Sequence, residues 1–212
     1  MALGDNYVNT ATFKAHAQIN DTDNDTEIAA VLSAVSRQVE RYCGRQFNKS
    51  GSGASATAAR TFTPSRCGTY VWVDDMTGDG SITVAHDTSL DGTYATTIAS
   101  NRYTFAPLNG VVGGVSGWPY TRINLHNGQR FIVDPEGRPT VQVSAHWGWA
   151  DTPADVVQAT LIQATRIFRR KYSAEGLSVG AGEFVFRTPA KLDGDVEAML
   201  MPYRRNVGAL IG

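Results

Sequence analysis

The residues that come closest to a metal site are polar side chains at alternate positions near the middle of the chain. Asp75, Thr77 and Asp79 fit the first, third and fifth positions of a calcium-binding loop, and Gly80 fits the sixth. The twelfth position, where such a loop carries a bidentate glutamate, is His86. Because the flanking segments have the pattern of strands rather than helices, the sequence favours a polar hairpin turn, with a calcium site as the weaker alternative.

A second set of alternating aspartates, Asp21, Asp23 and Asp25, lacks the glycine of a calcium loop, since Thr26 follows Asp25. Negatively charged side chains stabilise the positively polarised start of a helix. We therefore interpret these aspartates as helix-capping residues that offset the positive end of the helix that follows them.

No arrangement of residues indicates catalysis or a cofactor. None of the four histidines has the HxxxH or HExxH spacing of a metal site, and they are His16, His86, His126 and His146. Cys43 and Cys67 belong to no CxxC pair, which argues against zinc. The sequence contains neither a GxSxG turn nor a Walker A lysine motif. It predicts no catalytic residue, no metal ligand and no cofactor; a hydrolase using His146 with an aspartate is an alternative for which no substrate class follows.

The composition is that of a globular chain without a strong charge of either sign. Of its 212 residues, 42% are hydrophobic, and the formal net charge is -1. A domain that grips nucleic acid normally needs an excess of basic residues, because phosphate neutralisation drives the binding. No signal-peptide pattern opens the chain, and no apolar run reaches the roughly 20 residues of a membrane span. We expect a soluble protein made in the cytoplasm.

Helical patterns occur in the first part of the chain. A short helix is predicted with Thr10 as its cap. A longer one begins at Asn24, where Glu27 completes a capping box, and ends at Gly44. Its apolar residues recur at spacings of three and four, and they are Ile28, Val31, Leu32, Val35, Val39 and Tyr42.

The last part of the chain is also helical by pattern. A third helix is predicted with Thr152 as its cap and Pro153 as its first residue, and it ends in the basic run 169–171. A long glycine-rich connection follows, and then a fourth helix over 194–205. Connections of this length are typical of functional loops.

Between the helical parts, residues 60–149 have the alternation of strands, clearest in 140–147, and frequent turn signals. Residues 50–59 are rich in Gly, Ser and Ala and indicate a flexible linker. The prediction is an α+β fold: a bundle of about four helices from 1–49 and 150–212, with an inserted antiparallel β-rich domain, a sandwich or barrel, at 60–149. The tryptophans at its end, Trp118, Trp147 and Trp149, are interpreted as packing residues, with a sugar-stacking platform as the alternative.

Four stretches, about half of the chain, resemble the head-to-tail connector (adaptor, head-completion) proteins of tailed bacteriophages. They are VLSAVSRQVERYCGRQF at 31–47, the stretch 141–157 that ends in WGWADTPADVV, QATLIQATRIFRRK at 158–171, and DVEAMLMPYRR at 195–205. The order also matches: a helix ending in an RYCGR-like turn, a β-rich insert, a helix ending in basic residues, a glycine-rich loop and a closing helix.

The resemblance implies a structural protein of the virion neck, not an enzyme, made in the cytoplasm of the host bacterium. It implies a homo-oligomeric ring, twelvefold in the family, that binds the portal protein on one side and a stopper or tail-side connector on the other. DNA would pass through the ring without sequence-specific binding. The residues implied to contact the portal are Tyr203, Arg204, Arg205, Val207, Leu210 and Ile211. A loop that orders on assembly is expected around Gly176, Gly180, Gly182 and Phe184. The alternative is a binding module whose β-rich domain recognises carbohydrate or calcium.

Overall fold

A computed structural model describes residues 5–48, 57–78, 82–170 and 192–205. They form two compact units. The described parts of Met1–Phe47 and Thr152–Arg205 make a helical unit, and those of Asn48–Asp151 make a β-rich unit. The expected α+β class is confirmed, since the described residues include four helices and two antiparallel sheets. None of the described helices is long and apolar enough to cross a bilayer.

The helical unit contains α1 (Thr10–Ala17), α2 (Asp25–Cys43), α3 (Ala154–Arg170) and α4 (Gly194–Leu200), followed by a 3₁₀ turn (Met201–Tyr203). Four residues of the predicted apolar stripe of α2 are buried, namely Ile28, Leu32, Val35 and Val39, whereas Val31 and Tyr42 are only half-buried. Burial of such side chains stabilises a fold by about 1.5–3 kcal/mol each. α2 packs against α3, whose buried residues are Val156, Ala159, Thr160, Leu161, Gln163, Ala164 and Phe168.

The start of each of the first two helices differs in detail from its prediction. α1 is capped by Asn9 rather than Thr10, because the Asn9 Oδ1 accepts the Thr12 N–H at 2.7 Å. Asn24 does stand at the N-cap of α2, but its side chain makes no capping hydrogen bond. The carboxylate of Asp25 instead accepts a hydrogen bond from Lys14 Nζ at 2.7 Å.

The ends of α2 and α4 follow from Gly44 and Pro202. Gly44 ends α2 as predicted, in a left-handed conformation with φ +66° that glycine adopts without strain. α4 stops at Leu200 rather than at Arg205 and continues as the 3₁₀ turn. Pro202 has no N–H, so the hydrogen bonds of the α-helix cannot continue through it, although Met201 itself keeps helical dihedral angles.

The β-rich unit has seven strands: β1 (Ala58–Phe62), β2 (Tyr70–Met76), β3 (Thr83–His86), β4 (Thr96–Ile98), β5 (Tyr103–Ala106), β6 (Tyr120–Leu125) and β7 (Val141–Ala145). One sheet has the order β1-β7-β3-β4 and the other β2-β6-β5, and every pairing is antiparallel. The two sheets share one core. Val84 and Val143 come from the first sheet, and Val71 and Ile123 from the second.

β1 starts two residues before the β-rich region that was predicted at 60–149. β1 begins at Ala58, so the last two residues of the predicted linker are strand rather than linker. Its side chains are mostly exposed and give no clear alternation. Pairing with β7, which aligns Ala58 with Ala145, supplies the backbone hydrogen bonds that fix it. Residues 50–56 of the linker lie outside the described residues.

Candidate functional site

The turn after α4, Met201–Arg205, contains three of the expected partner-contact residues and is held firmly by the helical unit. Tyr203 is half-buried, and its hydroxyl donates a hydrogen bond to Asp155 Oδ2 at 2.9 Å. Its ring meets the Phe47 ring edge-on, with centroids 5.8 Å apart. Burial, with the hydrogen bond to Asp155 and its negative charge, raises the pKa of Tyr203 to about 12. The phenol therefore stays a neutral donor at neutral pH.

The two arginines that follow Tyr203 are positioned by the end of α2. The Arg204 guanidinium lies over the Tyr42 ring, 5.1 Å from its centroid, and Arg204 is exposed. The Arg205 backbone N–H donates to the Cys43 carbonyl at 2.8 Å. This hydrogen bond ties the backbone of Arg205 to the end of α2. The remaining expected contact residues, Val207, Leu210 and Ile211, lie outside the described residues.

Cys43 lies beneath this turn as a buried free thiol, which is the interpretation that its helical position favours. Burial raises the pKa of the Cys43 thiol to about 11, against the opposing positive charges of Arg45 and Arg204. The thiol is therefore neutral and packs as a small apolar side chain. The expected assembly loop, with Gly176, Gly180, Gly182 and Phe184, is outside the described part of the chain, as is the predicted short strand at 183–187.

A second surface, which the sequence reasoning did not single out, is the loop 107–119 between β5 and β6. We call it the apolar loop. Leu108 is 68% exposed and Val115 is 62% exposed, and Val111 and Val112 are about 40% exposed. No charged residue occurs in the loop. That charge-free run, PLNGVVGGVSGWP, is the sequence signal that could have identified it.

The apolar loop has a defined conformation. Val112 and Val115 exchange two backbone hydrogen bonds of 3.0 Å, and the Trp118 N–H donates to the Gly110 carbonyl at 3.0 Å. Gly110 has φ +63°, and a Cβ there would lie 2.9 Å from the Trp118 carbonyl oxygen, so that only glycine fits. Trp118 in turn packs on Trp149, with ring centroids 5.1 Å apart. A preformed, exposed apolar surface is typical of a protein–protein contact.

The residues of the calcium and carbohydrate alternatives are engaged inside the β-rich unit. Asp75 lies on β2, is buried, and accepts a hydrogen bond from Trp149 Nε1 at 3.2 Å. Trp147 is buried and donates its indole N–H to the Ala58 carbonyl at 2.7 Å. Asp79 and Gly80 lie outside the described residues. Within the described residues there is no group of three or more His, Cys, Asp or Glu that could hold a metal ion. Trp147 and Trp149 are therefore buried packing residues, as interpreted, whereas Trp118 is half-buried.

His146 and His86 lie at the end of β7 and on β3 of the β-rich unit. The His146 side chain is half-buried next to Trp147, and its backbone carbonyl accepts the Thr77 N–H at 2.9 Å. Burial lowers the pKa of His86, in opposition to the nearby Asp87 carboxylate. These contacts are those of structural residues in a sheet.

Comparison with known proteins gives likeness of fold. No protein-family profile matches the chain, and no curated protein sequence matches it. Among solved structures, a chain in the neck of an empty gene transfer agent (GTA) particle, computed with C6 symmetry, is similar at 16% identity and TM-score 0.52. The alignment covers 93% of this chain and 89% of that chain. A chain in the virion of a native GTA particle gives the same values. A chain in the neck of a native GTA particle, computed with C12 symmetry, is similar at 17% identity and TM-score 0.50, over 92% and 87% of the two chains.

Proposed function

We propose that this protein is a structural subunit of the neck of a phage-like particle, a head-to-tail adaptor that forms a ring beneath the portal. The observation that carries the proposal is the fold likeness to neck chains of GTA particles, which covers 93% of this chain and 89% of its counterpart. A match over nearly all of both chains includes the helical and the β-rich parts together. It agrees with the connector resemblance of four separate stretches of sequence.

Assembly into a ring is supported by two observations. The similar necks were computed with C6 and C12 symmetry, and this chain exposes the apolar loop, with Leu108 and Val115 more than 60% exposed. Monomeric proteins rarely leave a preformed, charge-free apolar surface uncovered. A closed ring uses heterologous contacts, in which two different surfaces of each copy meet. The apolar loop would be covered in the assembled neck.

The portal contact is proposed to lie at the end of the chain, with Tyr203, Arg204, Arg205, Val207, Leu210 and Ile211. Its described part is anchored rather than free, since Tyr203 binds Asp155 and the Arg205 N–H binds the Cys43 carbonyl. The anchored residues are the last ones described before Val207, Leu210 and Ile211 in the sequence. A stopper or tail-side connector would bind the opposite side of the ring.

The proposed role requires no catalysis and no cofactor. The protein would act by holding partners together, in the virion, after synthesis in the host bacterial cytoplasm. With a net charge of -1, the chain has little tendency to retain DNA by counterion release. DNA would pass through the ring without being read.

Two measurements on the purified chain and the portal from the same genome test the proposal. The full chain should form rings visible by electron microscopy, alone or on the portal. A variant ending at Arg205 should still assemble but lose portal binding, because it lacks Val207, Leu210 and Ile211. A variant ending after Val207 is the graded control and should bind the portal weakly. A chain that never assembles and does not bind the portal would refute the proposed function.

A further inference from the structure

The β-rich unit has an open pocket of about 380 Å³ on its four-stranded sheet and the adjoining turns. Its polar lining is His86, Thr96, Thr97, Arg102, Gln129 and Arg130. Among the residues that the structure describes, no aspartate or glutamate lines it. The lining is therefore rich in hydrogen-bond donors and positive charge, although the whole chain is slightly acidic.

Several polar groups that line this pocket have no hydrogen-bond partner among the described residues. The Arg102 guanidinium makes no hydrogen bond or ion pair with any described residue. Arg130 gives one N–H to the Cys67 carbonyl at 2.6 Å, which leaves its other donors available. His86 Nδ1 is buried and has no hydrogen-bond partner among the described residues. Buried polar atoms normally find a partner, and a bound group would supply one.

The chemistry of this lining fits a carboxylate. A guanidinium pairs with a carboxylate through parallel N–H···O bonds, and two arginines at one pocket favour negatively charged groups over neutral ones. The hydroxyls of Thr96 and Thr97 and the amide of Gln129 add neutral donors. The apolar side chains of Ile98 and Leu125 also line the pocket, so that it suits carboxylates carried on a protein segment rather than a free ion.

The chain itself carries a matching acidic surface in its helical unit. Asp21 and Asp23 lie in the turn between α1 and α2 and are exposed. The Asp23 N–H donates to Asp21 Oδ1 at 3.2 Å, which orders the turn. In the described structure neither carboxylate forms a salt bridge, whereas Asp25 is paired with Lys14. We call residues 21–23 the acidic turn.

We infer that the acidic turn of one copy binds in the Arg102–Arg130 pocket of the neighbouring copy, as one of the contacts that close the ring. The inference rests on the proposed ring, because only a heterologous contact brings two different surfaces of identical copies together. The charges are complementary, and each set lacks a partner of opposite charge within the described residues. Such complementarity also fixes the register of neighbouring subunits.

Charge reversal on the full-length chain tests this contact. One variant carries Arg102→Glu with Arg130→Glu, and a second carries Asp21→Lys with Asp23→Lys. Each alone should raise the concentration for half-assembly, measured by sedimentation velocity, by about tenfold or more, because like charges then face each other. An equal mixture of the two variants should recover assembly to within about threefold of the unchanged chain. In a ring where the two variants alternate, the unchanged acidic turn of one variant meets the arginine pocket of the other. The lysine-bearing turn likewise meets the glutamate-bearing pocket. Arg41→Glu, at an exposed helical position outside the pocket, is the matched control and should assemble normally.

The possible outcomes separate this inference from the proposed function. Rings that form normally in both reversed variants, or a mixture no better than its components, would overturn the contact and leave the ring intact. A pocket variant that assembles normally but loses retention of duplex DNA would show that the arginines bind phosphate instead, which also overturns it. An unchanged chain that stays monomeric at every concentration would overturn the ring and the contact together. Thermal unfolding of each variant checks that its fold is retained.

Discussion

The Tyr203 hydroxyl donates a hydrogen bond to the Asp155 carboxylate at 2.9 Å, across 48 positions of sequence. The bond ties the turn after α4 to the first turn of α3. Asp155 thereby has two roles, since it also lies at the positively polarised start of α3. The last described residues of the chain are therefore part of the folded helical unit and not a tail attached to it.

Removal of the Tyr203 hydroxyl should destabilise the helical unit. We expect Tyr203→Phe to lower its free energy of unfolding by about 0.5–1.5 kcal/mol, the usual net value of one hydrogen bond. Urea unfolding followed by far-UV circular dichroism measures this, while tryptophan fluorescence follows the β-rich unit, which contains all four tryptophans. In a protein that also carries Asp155→Ala, Tyr203→Phe should lower the free energy of unfolding by less, because the hydrogen bond is already absent. An equal cost in both backgrounds would mean that the hydroxyl stabilises through something else.

The same pair predicts a dependence on alkaline pH. The pKa of Tyr203 in the folded protein is about 12, raised by burial and by Asp155, against about 10 for an unfolded tyrosine. A raised folded pKa gives stability that is complete below pH 10 and is lost as the pH rises towards 12. The unchanged protein should therefore lose more stability between pH 10 and 12 than Tyr203→Phe does. Parallel curves for the two proteins over that range would contradict the assignment.

Local sequence signals were sufficient to predict the existence of the four helices and the end of α2, although not the capping contacts of α1 and α2 or the end of α4. The stripe Ile28, Leu32, Val35 and Val39 is buried as its spacing predicts, and Gly44 ends α2. Both are properties of neighbouring residues on one helix. The β1 strand could not be found in this way, because Ala58 pairs with Ala145, 87 positions away, and most of its side chains are exposed. Its structure is decided by the partner strand.

The candidate surfaces also differ in whether neighbouring residues in the sequence are enough to predict them. The connector resemblance predicts Tyr203, Arg204 and Arg205 as partner contacts from their place in one short stretch, but it does not predict the contacts that anchor them. The Arg102–Arg130 pocket is assembled from residues of β3, β4 and three further segments. No spacing in the sequence relates residues whose proximity depends on how two sheets and their turns are arranged. The apolar loop lies between these cases, because its lack of charge is visible in the sequence but its exposure is not.

The two cysteines should differ strongly in reactivity. Hydrogen bonds with Ser65 and then Thr69 lower the pKa of the exposed Cys67 thiol to about 7, while burial raises that of Cys43 to about 11. The thiolate is the reactive form. Iodoacetamide at pH 7.5 should therefore label Cys67 in the folded protein and Cys43 only after unfolding, as measured by peptide mass spectrometry. Cys67→Ser should abolish labelling of the folded chain, and Ser65→Ala should slow labelling of Cys67. Equal labelling of both thiols in the native protein would contradict this difference.

The apolar loop predicts a variant that keeps its fold and loses assembly. Leu108 and Val115 are largely exposed, so Leu108→Ser with Val115→Ser should change the stability of the β-rich unit by no more than about 0.5 kcal/mol per substitution. If the loop is covered in the ring, the concentration for half-assembly should nevertheless rise by about tenfold, because the apolar area buried on association falls.

The matched control for that variant is Ile123→Ala, at a fully buried core position of the same unit. It should lower the free energy of unfolding by about 2–5 kcal/mol, visible as an earlier transition in tryptophan fluorescence. The serine variant should therefore weaken assembly without changing stability, whereas Ile123→Ala should lower the stability of the fold. Unchanged assembly in the serine variant would mean that the loop stays uncovered in the ring. In that case its exposed side chains would have to serve a partner outside the ring, and portal and tail-side proteins could be tested against the same variant.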